Sequence, residues 1–148
     1  MKVKLTCIAT SMLFCALFLF PNYSFAQAGS LDLSFDIDGK VTTAIGSSED
    51  RATSVAIQSD GKIVVAGFSG PISNDDFVLV RYNTDGSLDN TFDIDGKVTT
   101  AIGTAGDRSY SVAIQGDGKI LVAGYGDIGS DDVFALVRYN TNGSLDNT

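Results

Sequence analysis

Histidine and tryptophan are absent from this chain of 148 residues, and cysteine occurs only at Cys7 and Cys15. Without histidine the chain lacks the side chain that most often moves protons near neutral pH, so serine–histidine and cysteine–histidine nucleophilic mechanisms have no base. Proline is confined to Pro21 and Pro71. Positive charge is scarce as well: ten Lys and Arg face eighteen Asp and Glu, a formal net charge of −8. Such a surface repels nucleic acid and anionic lipid.

The first thirty residues are a different kind of sequence from the rest. Lys2 and Lys4 make a basic start, residues 5–20 are apolar apart from Thr6, Thr10, Ser11 and the two cysteines, and Pro21 and Asn22 end the run. That layout predicts a signal peptide over residues 1–26, with Ser24 and Ala26 satisfying the small-residue rule for cleavage after Ala26, and Ala26 and Ala28 for cleavage after Ala28. The competing reading is an uncleaved anchor, although the run is shorter than the roughly 20 residues needed to span a bilayer. A lipid anchor is disfavoured, because Thr6 and Phe14 stand before the cysteines where a small residue is required. Cleavage would remove both cysteines, leaving no disulfide, thiolate nucleophile or Cys-ligated metal. The expected address is secreted: extracellular, cell surface or periplasm.

The remainder of the chain is a repeat. Residues 54–67 read SVAIQSDGKIVVAG and residues 111–124 read SVAIQGDGKILVAG. Two short apolar runs joined by an x-Asp-Gly turn make a β-hairpin, and the hairpin occurs twice. The interval from Gly61 to Gly118 is 57 residues, and the same interval separates Gly39 from Gly96, Val80 from Val137 and Gly86 from Gly143. No insertion therefore divides the copies, and about two-thirds of aligned positions are identical. The boundaries are residues 29–85 for repeat 1, 86–142 for repeat 2 and 143–148 for the start of a truncated third.

Within repeat 1, strands are predicted over residues 41–45, 53–58, 63–68 and 77–82. None has helical period; VTTAI is rich in β-branched residues, and Val55 and Ile57 alternate with Ser54, Ala56 and Gln58. Residues 77–82 are apolar on both faces except at Arg81, which predicts cover on both sides. Ser59-Asp60-Gly61, Asn83 to Gly86 and Asp36 to Gly39 supply Asp and Gly for tight reversals. Four strands joined by turns form an antiparallel meander that cannot bury two faces alone. Units stacked around an axis can, and four strands in a period of about 40–60 residues mark a propeller blade. A β-solenoid usually has shorter coils, and a sandwich does not account for the repeat. The fold class expected is all-β: four-stranded antiparallel β-propeller blades, in an incomplete propeller of about two.

The strings F-x-x-D-G-K-V-T-T, D-R-x-x-S-V-A-I-Q-x-D-G-K-I-x-V-A-G and L-V-R-Y-N-x-x-G-S-L-D resemble the delta-60 repeat of bacterial secreted proteins. The resemblance runs from about Leu31 to the C-terminus. It implies a β-propeller of unassigned biochemical function, export and repetition, and transfers no catalytic or binding residue.

Residues shared by both copies are most simply explained by the blade, so function is sought where the copies differ. FSGPISNDD (68–76) differs from YGDIGSDDV (125–133), and SSEDRAT (47–53) from TAGDRSY (104–110). Up-and-down connectivity puts both loops at one end, the expected ligand face, with Asp75 and Asp76 as candidate contacts. Asp36 and Asp38 before Gly39, and Asp93 and Asp95 before Gly96, resemble the start of a calcium loop, but Ser34 and Ile45 fall where further ligands would stand. Family members often carry glycine in place of these aspartates, which favours a plain turn. Arg81 and Arg138, and Arg51 and Arg108 beside Asp50 and Asp107, read as blade-to-blade or strand-end ion pairs. Asp75-Asp76 and Asp131-Asp132 could suggest glycosidase carboxylates, but neighbours on a strand point to opposite faces.

The resulting expectation is a non-enzymatic secreted propeller piece that binds or scaffolds at the cell surface, with no catalytic, cofactor-binding or metal residues. A calcium-stabilised structural repeat and a carbohydrate-acting hydrolase are the alternatives. Partners expected are a protein or glycan ligand, not nucleic acid or, once the signal is removed, membrane. Further blades come from the same, longer chain or from self-association, since one full blade, three strands of a second and stray outer-strand pieces leave apolar faces wet.

Overall fold

The structure is a computed structural model that describes residues 29–46, 48–71 and 73–148. The predicted signal peptide and both cysteines lie outside the described residues. Seven strands and no helix occur among those residues: β1 (Glu49–Ile57), β2 (Ile63–Gly70), β3 (Asp76–Tyr82), β4 (Lys97–Thr100), β5 (Arg108–Ile114), β6 (Ile120–Asp127) and β7 (Asp132–Tyr139). They form two antiparallel sheets, β1-β2-β3-β4 and β5-β6-β7, as expected of incomplete propeller blades.

The hairpin turns form at the Asp-Gly pairs. Gly61 has a φ of 84° and Gly118 of 86°, with Asp60 and Asp117 carboxylates accepting from the N–H groups of Lys62 and Lys119. In β1 and β5 a bulge, at Ala52/Ser54 and Ser109/Ser111, interrupts the pairing with β2 and β6. Here glycine is required by proximity: a Cβ at Gly67 would overlap the carbonyl oxygen of Arg51, and one at Gly124 that of Arg108.

Residues 41–45, predicted as a strand, are not one. Their equivalent in the second repeat explains why. β4 pairs with β3, joining Lys97 to Val80 and Thr100 to Phe77, so the first strand of a repeat completes the sheet before it. Among the described residues no sheet precedes residues 41–45, and an extended segment without a neighbour has no ladder to join. Sheet boundaries are therefore offset from repeat boundaries.

β3 is buried along its interior, as its two-sided apolar pattern predicts. The back of the first sheet contributes Val64, Ala66, Phe77 and Leu79, the front of the second contributes Ile120, Val122, Ala135 and Tyr139, and Phe92 from the β3–β4 connection completes the cluster. Val98, Ile102, Val112, Ile114 and Val137 pack around it. One sheet thus buries the face of the next, as stacked sheets do.

Truncating Leu79 to alanine is expected to destabilise the protein by about 2–5 kcal/mol through the cavity left between the sheets. Gly67→Ala is expected to cost about 1–3 kcal/mol by forcing β1 and β2 apart at the bulge. Urea unfolding followed by circular dichroism checks both.

Candidate functional site

The ends of the two-sheet stack carry different chemistry. At the end formed by the β1–β2 and β3–β4 turns, Arg81 is buried and its guanidinium lies 4.5 Å from the centre of the Phe92 ring. Arg81 Nε donates to Asp89 Oδ2 at 2.6 Å, and Nη1 reaches across to the carbonyl of Thr141 in the next repeat at 2.5 Å. Lys62 Nζ also donates to Asp89 Oδ2, at 2.8 Å. Burial alone would raise the Asp89 carboxyl, but Lys62, the hydroxyl and N–H of Thr91 and the charge of Arg81 together hold it well below the usual carboxylate range. The arrangement recurs at Asp146, where Lys119 and Thr148 dominate and the carboxyl is again depressed. These charges are consumed in holding the turns.

The opposite end gathers the variable loops. Asp107, fully buried, accepts from the N–H groups of Ile102, Gly103 and Asp127 at 2.6, 3.0 and 3.0 Å, binding the β4–β5 connection to the end of β6. Asp50 has the same role in the first repeat, accepting from Ser69 Oγ at 2.5 Å and Ile45 N at 3.0 Å, contacts that lower its carboxyl. Arg108 Nη2 stands 2.8 Å from Asp75 Oδ2 of the first sheet, and its guanidinium lies 5.0 Å from the Phe68 ring centre. The expected blade-to-blade pair is therefore Arg108 with Asp75, whereas Arg51 pairs locally with the exposed Glu49 at 2.5 Å.

Asp75 and Asp76 are consequently unlike one another. Asp75 is buried and spoken for by Arg108, and its carbonyl accepts from Asp107 N. It is a structural residue, a role already legible in its recurrence as Asp132. Asp76, replaced by Val133 in the second copy, is half-buried; burial first, then the charges of Asp107 and Asp75, raise its carboxyl. Asp131 and Asp132 are exposed, and Asp131 accepts from Ser130 Oγ. The two loop tips lie on one continuous surface, because Thr104 N donates to Asp127 O and Asp107 N to Asp75 O. The residues facing outward there include Ser73, Asn74, Ile128, Ser130 and Asp131.

Asp36 and Asp93 have φ of 45° and 52° and lie in tight turns. Asp38 and Asp95 accept from the N–H groups of Lys40 and Lys97 within those turns. Asp36 N and Asp93 N donate to the carbonyls of Asp85 and Asn142, tying each turn to the one after β3 or β7. Among the described residues, no three Asp, Glu, His or Cys side chains come together as metal ligands.

Residues 58–92 and 115–148 match the model of a family described as a domain of unknown function (DUF5122) beta-propeller. Both segments are similar to the DUF5122 β-propeller repeat. Each matched segment of the DUF5122 repeat begins at the β1–β2 or β5–β6 turn and runs through the Asp89 or Asp146 cluster, so the turn end carries the repeat's signature and the variable loops are left for divergence. No curated protein gives a significant match.

The charged groups are expected to differ in what they contribute. Asp89→Asn, which leaves Arg81 buried without its counter-charge, is expected to cost about 3–5 kcal/mol. Because Asp89, Asp146 and Asp50 have folded-state pKa values below the unfolded value of 3.8, their stabilisation is present above that pH and is lost as pH falls below it. Asp76 has the opposite sign: its pKa is raised from 3.8, so its ionisation weakens the fold above its folded pKa and has no effect well below 3.8. Thermal melts should show Asp76→Asn more stable than the parent at pH 7 and indistinguishable from it at pH 3.

Proposed function

We propose that this chain is a secreted, non-enzymatic propeller scaffold that binds a protein or glycan at the cell surface through the end bearing its variable loops. The observation that carries this reading is the division of labour between repeated and divergent residues. Repeated charges, Arg81, Asp89, Lys62, Asp107, Asp75 and Arg108, are engaged in holding sheets and turns together. The divergent loops lie side by side at one end, joined by the Thr104–Asp127 and Asp107–Asp75 hydrogen bonds. Loops presented on a rigid sheet scaffold are the usual carriers of recognition.

Export is supported by the basic start and apolar run before residue 26, and the delta-60 resemblance belongs to the same reading. The absence of histidine from the sequence and the engagement of Asp75 with Arg108 favour binding over hydrolysis.

The test is binding of the purified protein to a glycan array and to intact bacterial cells. A variant with Ser73, Asn74, Ser130 and Asp131 changed to alanine is expected to lose at least about tenfold in binding while keeping its melting temperature, since these side chains lie outside the core. Unchanged binding by that variant, or cleavage of an arrayed polysaccharide, defeats the reading.

A further inference from the structure

The repeat makes the molecule its own control, because every slot in the first sheet has a counterpart in the second. Leu79 is 1% exposed and Leu136, in the same slot, is 69% exposed. Phe77 is buried and Phe134 is wholly exposed. Phe68 lies beneath Arg108 of the following repeat, whereas Tyr125 in its slot lies beside Tyr110 of its own sheet, at 5.9 Å between ring centres. Among the described residues the second sheet has three strands, and one edge of β7 is without the neighbour that β4 gives β3.

A segment that fits that position lies in the first repeat. Residues 41–45 repeat the VTTAI of residues 98–102 and are held as that stretch is held. Tyr82 Oη donates to Thr43 Oγ1 at 2.7 Å, as Tyr139 Oη does to Thr100 Oγ1 at 2.8 Å. Ile45 N donates to Asp50, as Ile102 N does to Asp107. Between this segment and the front of the first sheet lies a groove of about 500 Å³ lined by Ile63, Val65, Val78 and Tyr82. Those four slots, filled by Ile120, Val122, Ala135 and Tyr139, are where the second sheet receives Phe77 and Leu79.

We propose that copies of this chain join tail to head, residues 40–43 of one copy adding to the free edge of β7 of another as its fourth strand. The register of β3 with β4, carried over by the repeat interval, sets Thr43 opposite Phe134, Thr42 opposite Ala135, Val41 opposite Leu136 and Lys40 opposite Val137. Phe134 and Leu136 then enter the groove of the second copy. The charges at both ends have waiting partners. Arg51 of the second copy meets Asp132 and Tyr125 as Arg108 meets Asp75 and Phe68, and Arg138 meets the carbonyl of Thr84 as Arg81 meets that of Thr141.

Unmet polar groups point the same way. Gln115 Oε1 is buried without a hydrogen-bond partner among the described residues, while Gln58 Oε1 in its slot faces Arg81 Nη1 at 3.5 Å. Arg138 Nε lies 2.6 Å from Asp146 but out of alignment for a hydrogen bond, whereas Arg81 Nε donates to Asp89. Strand addition to an exposed edge supplies main-chain hydrogen bonds, with alternate side chains setting register. The contact joins two different surfaces, so it propagates until rotation closes a ring. Two to four copies would make the roughly four to eight blades of a propeller.

Sedimentation velocity of the purified protein across a concentration series is expected to show assemblies of two to four copies. Leu136→Arg, a change on an exposed face, should weaken association about 30-fold or more while leaving the circular dichroism spectrum intact. As a second measurement, chains with Cys7 and Cys15 changed to serine receive a single new cysteine each and are mixed under oxidation. Val41→Cys with Leu136→Cys should form a disulfide dimer, and Val41→Cys with Ala135→Cys, which faces the other side of the sheet, should not. A monomer at every concentration overturns the proposal and leaves the face to another partner; so does an assembly in which the two cysteine pairs cross-link equally or not at all.

Discussion

The back of the first sheet presses Val64, Ala66, Phe77 and Leu79 against Ile120, Val122, Ala135 and Tyr139 on the front of the second, and the remaining architecture depends on this contact. A four-stranded sheet with apolar residues on both faces has no stable solution by itself. It must present one face to a predecessor and the other to a successor. The interface needs front and back to be complementary, and a repeat that preserves both faces meets that requirement at every junction.

The polar interactions take their positions from this contact. Stacking brings the next repeat's Thr141 carbonyl to Arg81 at one end and Arg108 to Asp75 at the other. Each arginine also lies over a phenylalanine, Phe92 or Phe68, so apolar and ionic contacts share the same side chains. Buried ion pairs contribute less to net stability than their geometry suggests, because desolvation offsets attraction. Here they fix how far one sheet slides over the next. Asp107 does the comparable work for backbone, satisfying N–H groups that the β4–β5 connection would otherwise leave buried and unpaired.

Much of this is readable from residue order. The x-Asp-Gly turns, the alternation in 54–58 and the two-sided apolar run at 77–82 correspond to β1, β2 and β3 with ends shifted by a few residues. Divergent loops gather at one end as simple alternation of strand direction requires. Less readable is the standing of VTTAI. Its composition is that of a strand in both copies, yet only the second copy has β3 beside it. Asp75 is a structural residue rather than a ligand contact for a related reason: it lies within a divergent stretch, and only its recurrence as Asp132 hints that its partner is the arginine of the following repeat.

Residue order by itself determined the strand periods, the turns and the 57-residue interval, because φ preferences, side-chain alternation and duplication are local properties of the chain. Tertiary structure decided which strand belongs to which sheet, which aspartate meets which arginine, and which of two identical leucines is dry. Those outcomes depend on the neighbour that each segment finds in space, and two copies of one sequence have different neighbours.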